Sequence, residues 1–544
     1  MSAPTSPAQA APRAGDRCVM TIDAGTGSCR ALIFDSKGLV LSVAQREWSL
    51  AADPRYEGSA VFDTSQAWRL IGQCIRKALD LSGLDAGRIA AVTASSMREG
   101  MVLYDAERRE IWACPNIDAR AREEAEQLVA DGTAEMIYDS GGDWVGIISP
   151  ARFRWIARHE PAVFEGTRHM SMISDWVLFR LSGELATDRS CGSSSGLFDL
   201  ARGEWSAAVI ERLELPAAIF PQIRDAGSVL GTVTTGAAAE TGLRAGTPVV
   251  VGGADTQLAL LGSGGTKAGQ LTVVGGTFWQ TAWLADRPLI DPARRLRTLC
   301  HVVPDLWMTE GIGFLNGLAM RWLRDVVFQS AAAQSEMIDC YAAMEALAAQ
   351  APAGASGIFA LVSDVMHARE WRQAPMTFVG IDVTRPEHEG PRGRGLLARA
   401  VQESAVFTAL AHYRILQELS GQTASELVFC GGASKGRLWP QIMADVFELP
   451  VKIPVVKETT SLGAACCALA AVGEYRSPAE AAGALVRWEN VVEPDAETAV
   501  RYRSIAAEAA ALQQGLMRWV REGRLREMWR AAGVAGGREL KIEN

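Results

Sequence analysis

What this sequence lacks already narrows what it does. No apolar run approaches the eighteen or so residues that a bilayer-spanning helix needs, so the chain reads as soluble, with no membrane partner. Residues 1–16 are rich in Ala, Pro and Ser but have no apolar h-region; they read as a flexible tail and not a secretory signal. The ten cysteines form no C-x-x-C pair, and Cys466-Cys467 fall in an Ala-rich helical pattern. That spacing argues against a disulfide framework or zinc site and suits small core residues in a reducing cytoplasm. Basic residues are scattered, and the formal net charge is −9, which argues against non-specific nucleic-acid binding. Oligomeric state is not written in any of these features, and homo-oligomerisation stays open.

What is present is length and two glycine-rich devices. At 544 residues with 48% hydrophobic content, the chain is too long for one core and implies two large globular domains or more. The expected division is a tail over 1–16, a first domain over 17–246 and a second over 247–544. Near the middle, Thr247-Pro248-Val249-Val250-Val251-Gly252-Gly253-Ala254-Asp255-Thr256 reads as a β-branched strand that stops at two glycines, with Asp255 projecting from the turn they allow. A strand over 271–274 then leads into Gly275-Gly276-Thr277 and a strand from Phe278, a hairpin whose tip offers N–H groups and a hydroxyl to an anion. A carboxylate beside a phosphate-sized cradle suits phosphoryl transfer, in which a base takes the proton of the attacking hydroxyl while fixed donors and a metal hold the charge. On these residues alone, an ordinary glycine-rich strand end is the commoner reading.

The start of the chain repeats the device. A strand over 18–23 meets a turn over 24–28, then a strand over 29–35, and a third ends near Glu47. At the tip, Thr26, Gly27 and Ser28 can present donors to phosphate, Arg30 adds charge, and Asp23 at the strand end is placed to hold Mg²⁺ directly or through water. Two phosphate hairpins, one per half, imply duplicated domains closing on a nucleotide. This is the pattern of the actin, Hsp70 and sugar-kinase ATPase fold, an α/β class with two ribonuclease-H-like domains and a cleft between them. Asp23-Ala24-Gly25-Thr26-Gly27-Ser28-Cys29-Arg30 resembles its D-x-G-T-x-S-x-R phosphate motif.

After a strand over 89–93, Ser96-Met97-Arg98-Glu99-Gly100 sets a guanidinium beside a carboxylate. The pair can hydrogen-bond vicinal hydroxyls, one side chain donating and the other accepting, although a solvated salt bridge in a turn is the commoner reading without context. The context is a resemblance to the FGGY carbohydrate kinase family, whose glycerol kinases bind the polyol with an Arg-Glu pair at this place. The resemblance spans roughly 18–529. It implies ATP and Mg²⁺ as cofactors and a small hydroxylated substrate held by Ser96, Arg98, Glu99, Asp255 and Thr256. It makes Asp255 the catalytic base and a metal ligand with Asp23. Thr26, Gly27, Ser28, Arg30, Gly276 and Thr277 would then serve the phosphates, with Gly317 and Arg321 on a helix from Asn316 approaching the nucleotide. Gly431-Gly432-Ala433-Ser434-Lys435-Gly436, between a strand over 427–430 and a helix over 438–447, resembles the adenosine motif, through Gly432, Ala433 and Gly436.

The chain departs from family pattern at Arg152, where most members have Lys, at Ile147, where glycerol kinases have a substrate-facing Tyr, and at Ala254 and Ala433, where Gly is usual. Longer runs such as Ile111-Trp112-Ala113-Cys114-Pro115-Asn116 and Gly275-Gly276-Thr277-Phe278-Trp279-Gln280 resemble one branch of the family. That branch phosphorylates a linear five-carbon quorum-sensing signal, 4,5-dihydroxy-2,3-pentanedione, at its terminal hydroxyl. A kinase for another small polyol or ketose, such as a pentulose, is the alternative. A non-catalytic ATP-binding regulator is a third reading, against which Asp255 and the Arg98-Glu99 pair speak. The Arg98-Glu99 site is expected on the first domain alone, with a hinge near Gly246 across which the domains close.

Overall fold

The computed structural model describes residues 17–328, 340–367 and 370–531, so the expected tail over 1–16 and the last thirteen residues lie outside the described residues. Two large mixed sheets, of six and seven strands, organise the described residues. The first starts with β1 (Cys18–Ala24), β2 (Ser28–Asp35) and β3 (Val40–Glu47), an antiparallel meander. Helix α1 (Thr64–Ser82) follows, started by Asp63, whose side chain accepts from the Gln66 amide, and stopped by Gly83 in the left-handed region at φ 65°. It lays Trp68, Ile71, Ile75 and Ala78 against Met20, Ile22 and Ile33 of the sheet. The chain then returns as β4 (Ile89–Ser96), parallel to β1, and closes the sheet with β5 (Val229–Thr232) and β6 (Pro248–Ala254) in the order β5-β6-β4-β1-β2-β3.

Strand β6 corrects the expected domain division. It lies parallel to β4, pairing Gly253 with Ser95 and Ala254 with Ser96, so it completes the first sheet and does not open the second domain. Nor do its glycines make a turn. The strand runs through both, and helix α2 (Asp255–Gly262) starts at Asp255. Gly252 is required because a β-carbon there would enter the Ala94 carbonyl, and one on Gly253 would reach 2.6 Å from Val302 and 2.8 Å from the Ser190 hydroxyl. Gly246, the expected hinge, sits at φ 86° in the turn before β6, its amide bonded to the Val233 carbonyl. The passage between sheets is residues 263–270.

The second sheet repeats the first. Strands β7 (Leu271–Gly275) and β8 (Trp279–Ala285) form the hairpin, β9 (Arg297–Cys300) and β10 (Trp307–Gly313) extend it, and helix α3 (Asn316–Leu323) leaves its end. The long α4 (Gly390–Ser420) packs Ala405, Val406, Ala409 and Tyr413 on Leu271, Val273 and Phe429, as α1 does in the first half. Then β11 (Leu427–Cys430), parallel to β7, α5 (Leu438–Phe447), β12 (Val451–Pro454), α6 (Thr459–Ala471) and the edge strand β13 (Trp488–Val492) complete the order β9-β10-β8-β7-β11-β12-β13. The helical pattern from Glu497 is a helix, Ala496–Arg521.

Helices α2 and α6 occupy equivalent places in the two halves and cross each other. A β-carbon on Gly262 would enter the Thr459 carbonyl, and one on Gly463 would enter the Leu258 carbonyl. Beyond the crossing α6 buries Ala464, Ala465, Cys466, Cys467 and Ala468 completely, packing with Val19, Leu32, Ala91 and Val250 of the first sheet. Among the described residues, no helix is long and apolar enough to cross a membrane. Since close approach of the two helix backbones leaves no room for a methyl group, Gly463→Ala should cost about 1–3 kcal/mol by overpacking and lower the thermal midpoint. A midpoint equal to wild type would show that the crossing is slack.

Candidate active site

The site forms where the parallel strands of the first sheet end. Register aligns Asp23 of β1 with Ser95 of β4, and Ser95 with Gly253 of β6, two residues before Asp255. The Ser95 hydroxyl donates to Asp23 Oδ1 at 2.9 Å. Burial raises the Asp23 carboxyl above the ordinary carboxylate range, with that hydroxyl and Arg30 opposing the shift. Asp255, first residue of α2, receives the Thr256 amide at 2.7 Å and the Thr256 hydroxyl at 3.3 Å. Its side chain is 36% open, so it faces the cleft and not the core. Even so, desolvation by the cleft walls pushes it up to about 7, with Arg98 pulling down and Asp23 and Glu99 pushing up.

Next to it is the Arg98-Glu99 turn. Glu99 has φ 62°, a left-handed conformation that costs a non-glycine residue roughly 1–3 kcal/mol. Arg152 holds it there, donating to the Glu99 carbonyl and also to the Pro115 and Asp118 carbonyls at 3.0 and 3.1 Å. The forked guanidinium explains why Arg stands where Lys is usual, since one ammonium does not span these acceptors. Arg98 Nε lies 3.9 Å from Asp255 Oδ1 and 3.9 Å from Glu99 Oε1. The expectation from sequence is a site on the first domain alone, but the contacts of the pair are not confined to it. From the second sheet, Glu310 of β10 meets Arg98 at 2.5 Å and Arg297 of β9 meets Glu99 at 2.6 Å. Asp143, 2.6 Å from Arg297 and pushed up to about 6 by burial, lies in the same loop as the half-buried Ile147. Ser96 stands apart, with its hydroxyl given to the Met97 carbonyl and 1% exposure.

Sequence reading missed Asp143, Arg297 and Glu310. A signal was present for Glu310 alone, a charge in the middle of the run Trp307-Met308-Thr309-Glu310-Gly311-Ile312, since such charges are rarely buried unless paired.

The two hairpin tips differ in their surroundings. In the first, the Thr26 hydroxyl bonds Asn116, the Trp48 indole donates to the Thr26 carbonyl at 3.0 Å, Gly27 is open, and Arg30 pairs with Glu458 at 2.6 Å. In the second, three glycine-rich segments converge. The Gly317 amide donates to the Thr277 carbonyl at 3.1 Å, a β-carbon on Gly317 would enter the Gly276 carbonyl, and Gly431, at φ 86°, would bring one to 2.7 Å from the Gly275 carbonyl. Gly276, Thr277, Gly317, Gly432 and Ala433 are therefore neighbours, with exposed Arg321 one turn along α3. At the third segment, the amides that open α5 already have a partner. Glu345 accepts from the Arg437 and Leu438 amides and lies 2.7 Å from where a Gly436 β-carbon would stand. Among the described residues, no group of three or more His, Cys, Asp or Glu side chains is placed to hold a metal by itself.

Two ribonuclease-H-like sheets, each with a glycine-tipped hairpin, and a carboxylate at the end of the first define a sugar-kinase-type ATPase. The chain belongs to the FGGY family of carbohydrate kinases, and is therefore an ATP-dependent carbohydrate kinase. The family's N-terminal domain matches residues 18–262 and its C-terminal domain residues 272–472. It is similar to autoinducer-2 kinases: 41% identical over 521 residues to that of Yersinia pestis bv. Antiqua (strain Angola) and 40% to that of Salmonella paratyphi B, covering 95% of this chain and 98% of each relative. Among solved structures, xylulose kinase from Rhodospirillum rubrum superposes with TM-score 0.80 at 28% identity, over 92% of this chain and 99% of that one.

A carboxyl that binds its proton more tightly in the fold than in the unfolded chain works against folding once ionised. For Asp255 that penalty is absent below about pH 4, grows as pH rises toward about 7, and is complete above it. Asp255→Asn should accordingly raise the thermal midpoint at pH 8, with the gain shrinking as pH falls toward about 4.5. An equal shift at both pH values would place the effect in packing and not in ionisation.

Proposed function

We propose that this chain transfers the γ-phosphoryl group of ATP to the terminal hydroxyl of 4,5-dihydroxy-2,3-pentanedione, the reaction that the name autoinducer-2 kinase implies for its relatives. The observation that carries the phosphotransfer reading is Asp255, cleft-facing and 3.9 Å from a buried guanidinium at the carboxyl ends of the parallel strands. The choice of acceptor rests on the near-full-length relatives. Arg98 donates to the carbonyl oxygens of the dione, and Glu99 accepts from the chain hydroxyls. Asp255 takes the proton from the terminal hydroxyl as its oxygen bonds to phosphorus and the bridging oxygen leaves with ADP. A base that titrates near 7 is matched to that task, because it is free at working pH and still basic enough to accept the proton.

The phosphates lie against the amides and hydroxyls of Thr26, Gly27 and Ser28 on one side and Gly276 and Thr277 on the other. Gly317, Arg321 and the Gly432-Ala433-Gly436 segment face the nucleoside. Arg30 neutralises phosphate charge once released from Glu458. Asp23 and Asp255 fit a Mg²⁺ ion, since the carboxyl pKa of each is raised by burial, a cation relieves that cost, and Mg²⁺ takes one or two protein carboxylates with phosphate oxygens. Bound there, the ion supplies charge neutralisation for the moving phosphoryl group. Closure over the cleft limits idle hydrolysis of ATP.

Asp255→Asn should lower kcat by about a hundredfold to ten-thousandfold with little change in the KM for ATP. Wild-type-like turnover in the Asn variant removes Asp255 as the base. Asp23→Ala should raise the Mg²⁺ concentration needed for half-maximal rate; an unchanged requirement makes Asp23 a strand-end cap. In a panel scored for ADP release, the dione should exceed glycerol and xylulose by about tenfold or more in kcat/KM. A better rate with xylulose makes the chain a pentulose kinase, and no acceptor-dependent ADP release leaves only a binding protein.

A further inference from the structure

In the charged cluster at the join of the two sheets, Glu310, Arg297 and Asp143 are not used by the steps above, although they surround Arg98 and Glu99, which are. Glu310 in β10 is fully buried. Its Oε1 meets Nη1 of Arg98 at 2.5 Å and Nε of Arg297 at 3.6 Å, while Oε2 has no hydrogen-bond partner. Arg297 in β9, itself buried, places Nη2 2.6 Å from Glu99 Oε1 and 2.6 Å from Asp143 Oδ2. Two guanidiniums and three carboxylates are thus held out of water together. Burying such a group usually costs more than its pairing returns, and apolar replacement is often as stable, so stability does not account for it. The orphaned oxygen of Glu310 deepens that cost.

Geometry gives the cluster a task. Arg98 has three acidic neighbours, Glu310 at 2.5 Å and Glu99 and Asp255 at 3.9 Å each, so the shortest contact, made from the other sheet, decides where the guanidinium lies. Arg297 does the same for Glu99, whose backbone is already in the left-handed region. We propose that Glu310 and Arg297 are positioning residues of the acceptor site: the second sheet supplies the counter-charges that aim Arg98 and Glu99, and the acceptor pocket is complete only where the two sheets meet. This rests on the kinase reading but not on which acceptor is used.

The test measures acceptor and nucleotide separately, with whichever acceptor the panel favours. Steady-state kinetics give both KM values, and calorimetric titration in the presence of a non-hydrolysable ATP analogue gives the acceptor Kd. Glu310→Gln keeps the shape and one acceptor atom; it should raise the acceptor KM and Kd about tenfold or more while the KM for ATP stays within about twofold. Arg297→Met should do likewise, and Arg297→Lys, which keeps the charge, should recover part of the loss. If Arg297→Met does not fold, Glu310→Gln and Arg297→Lys carry the comparison. Unchanged acceptor KM and Kd in Glu310→Gln overturn the proposal, as does a parallel rise in both KM values, the mark of a merely structural role. Wild-type protein that turns over no acceptor overturns the kinase reading and the proposal with it, whereas preference for a pentulose alters only the acceptor used.

Discussion

The contact on which the rest depends is the one between Arg98 and Glu310. It is a buried ion pair at 2.5 Å between the turn that follows β4 of the first sheet and the middle of a strand in the second. Through it the guanidinium that faces Asp255 is tied to the half of the molecule that carries the second phosphate hairpin. A side chain held this way loses little freedom when a ligand arrives, which is how a site keeps reacting groups in register. Removing one member would leave an uncompensated charge in a dry place, so the members constrain one another.

The spacing of the two sheets is set elsewhere, where α2 and α6 cross on the paired glycines Gly262 and Gly463. Asp255 begins the first of these helices, and Thr460, second residue of α6, donates its hydroxyl to the Asp255 carbonyl at 3.3 Å. Crossing and site are therefore one mechanical unit. A shift at the crossing moves the carboxylate, the Glu458 that precedes α6, and the Arg30 paired with it. The high pKa of Asp255 has the same origin, since the walls that fix it also dry it.

Much of this was legible in the sequence. The hairpins were readable because a β-branched run broken by glycine and hydroxyl residues has few other solutions, and Asp23, Asp255, Arg98 and Glu99 stand at strand ends or just beyond, where such residues project. The domain boundary was not readable: Val249-Val250-Val251-Gly252-Gly253 looks the same whether it opens one sheet or closes another, and only pairing with β4 decides. The partners of Arg297 and Glu310 were hidden for a related reason. Glu99 and Arg98 lie some two hundred residues away from them, and local pattern carries no information about a contact between sheets. Glu345 was hidden likewise; its capping of α5 joins segments some ninety residues apart.

The central claim is that the joined sheets present a primary hydroxyl to Asp255 and a phosphoryl group to that hydroxyl. Proton-coupled ³¹P nuclear magnetic resonance of the product tests it directly. Transfer to the terminal hydroxyl of the dione gives a new phosphomonoester signal split into a triplet by the adjoining methylene protons, appearing in step with ADP. A doublet, from a secondary hydroxyl, or inorganic phosphate as the sole new species, would contradict the account.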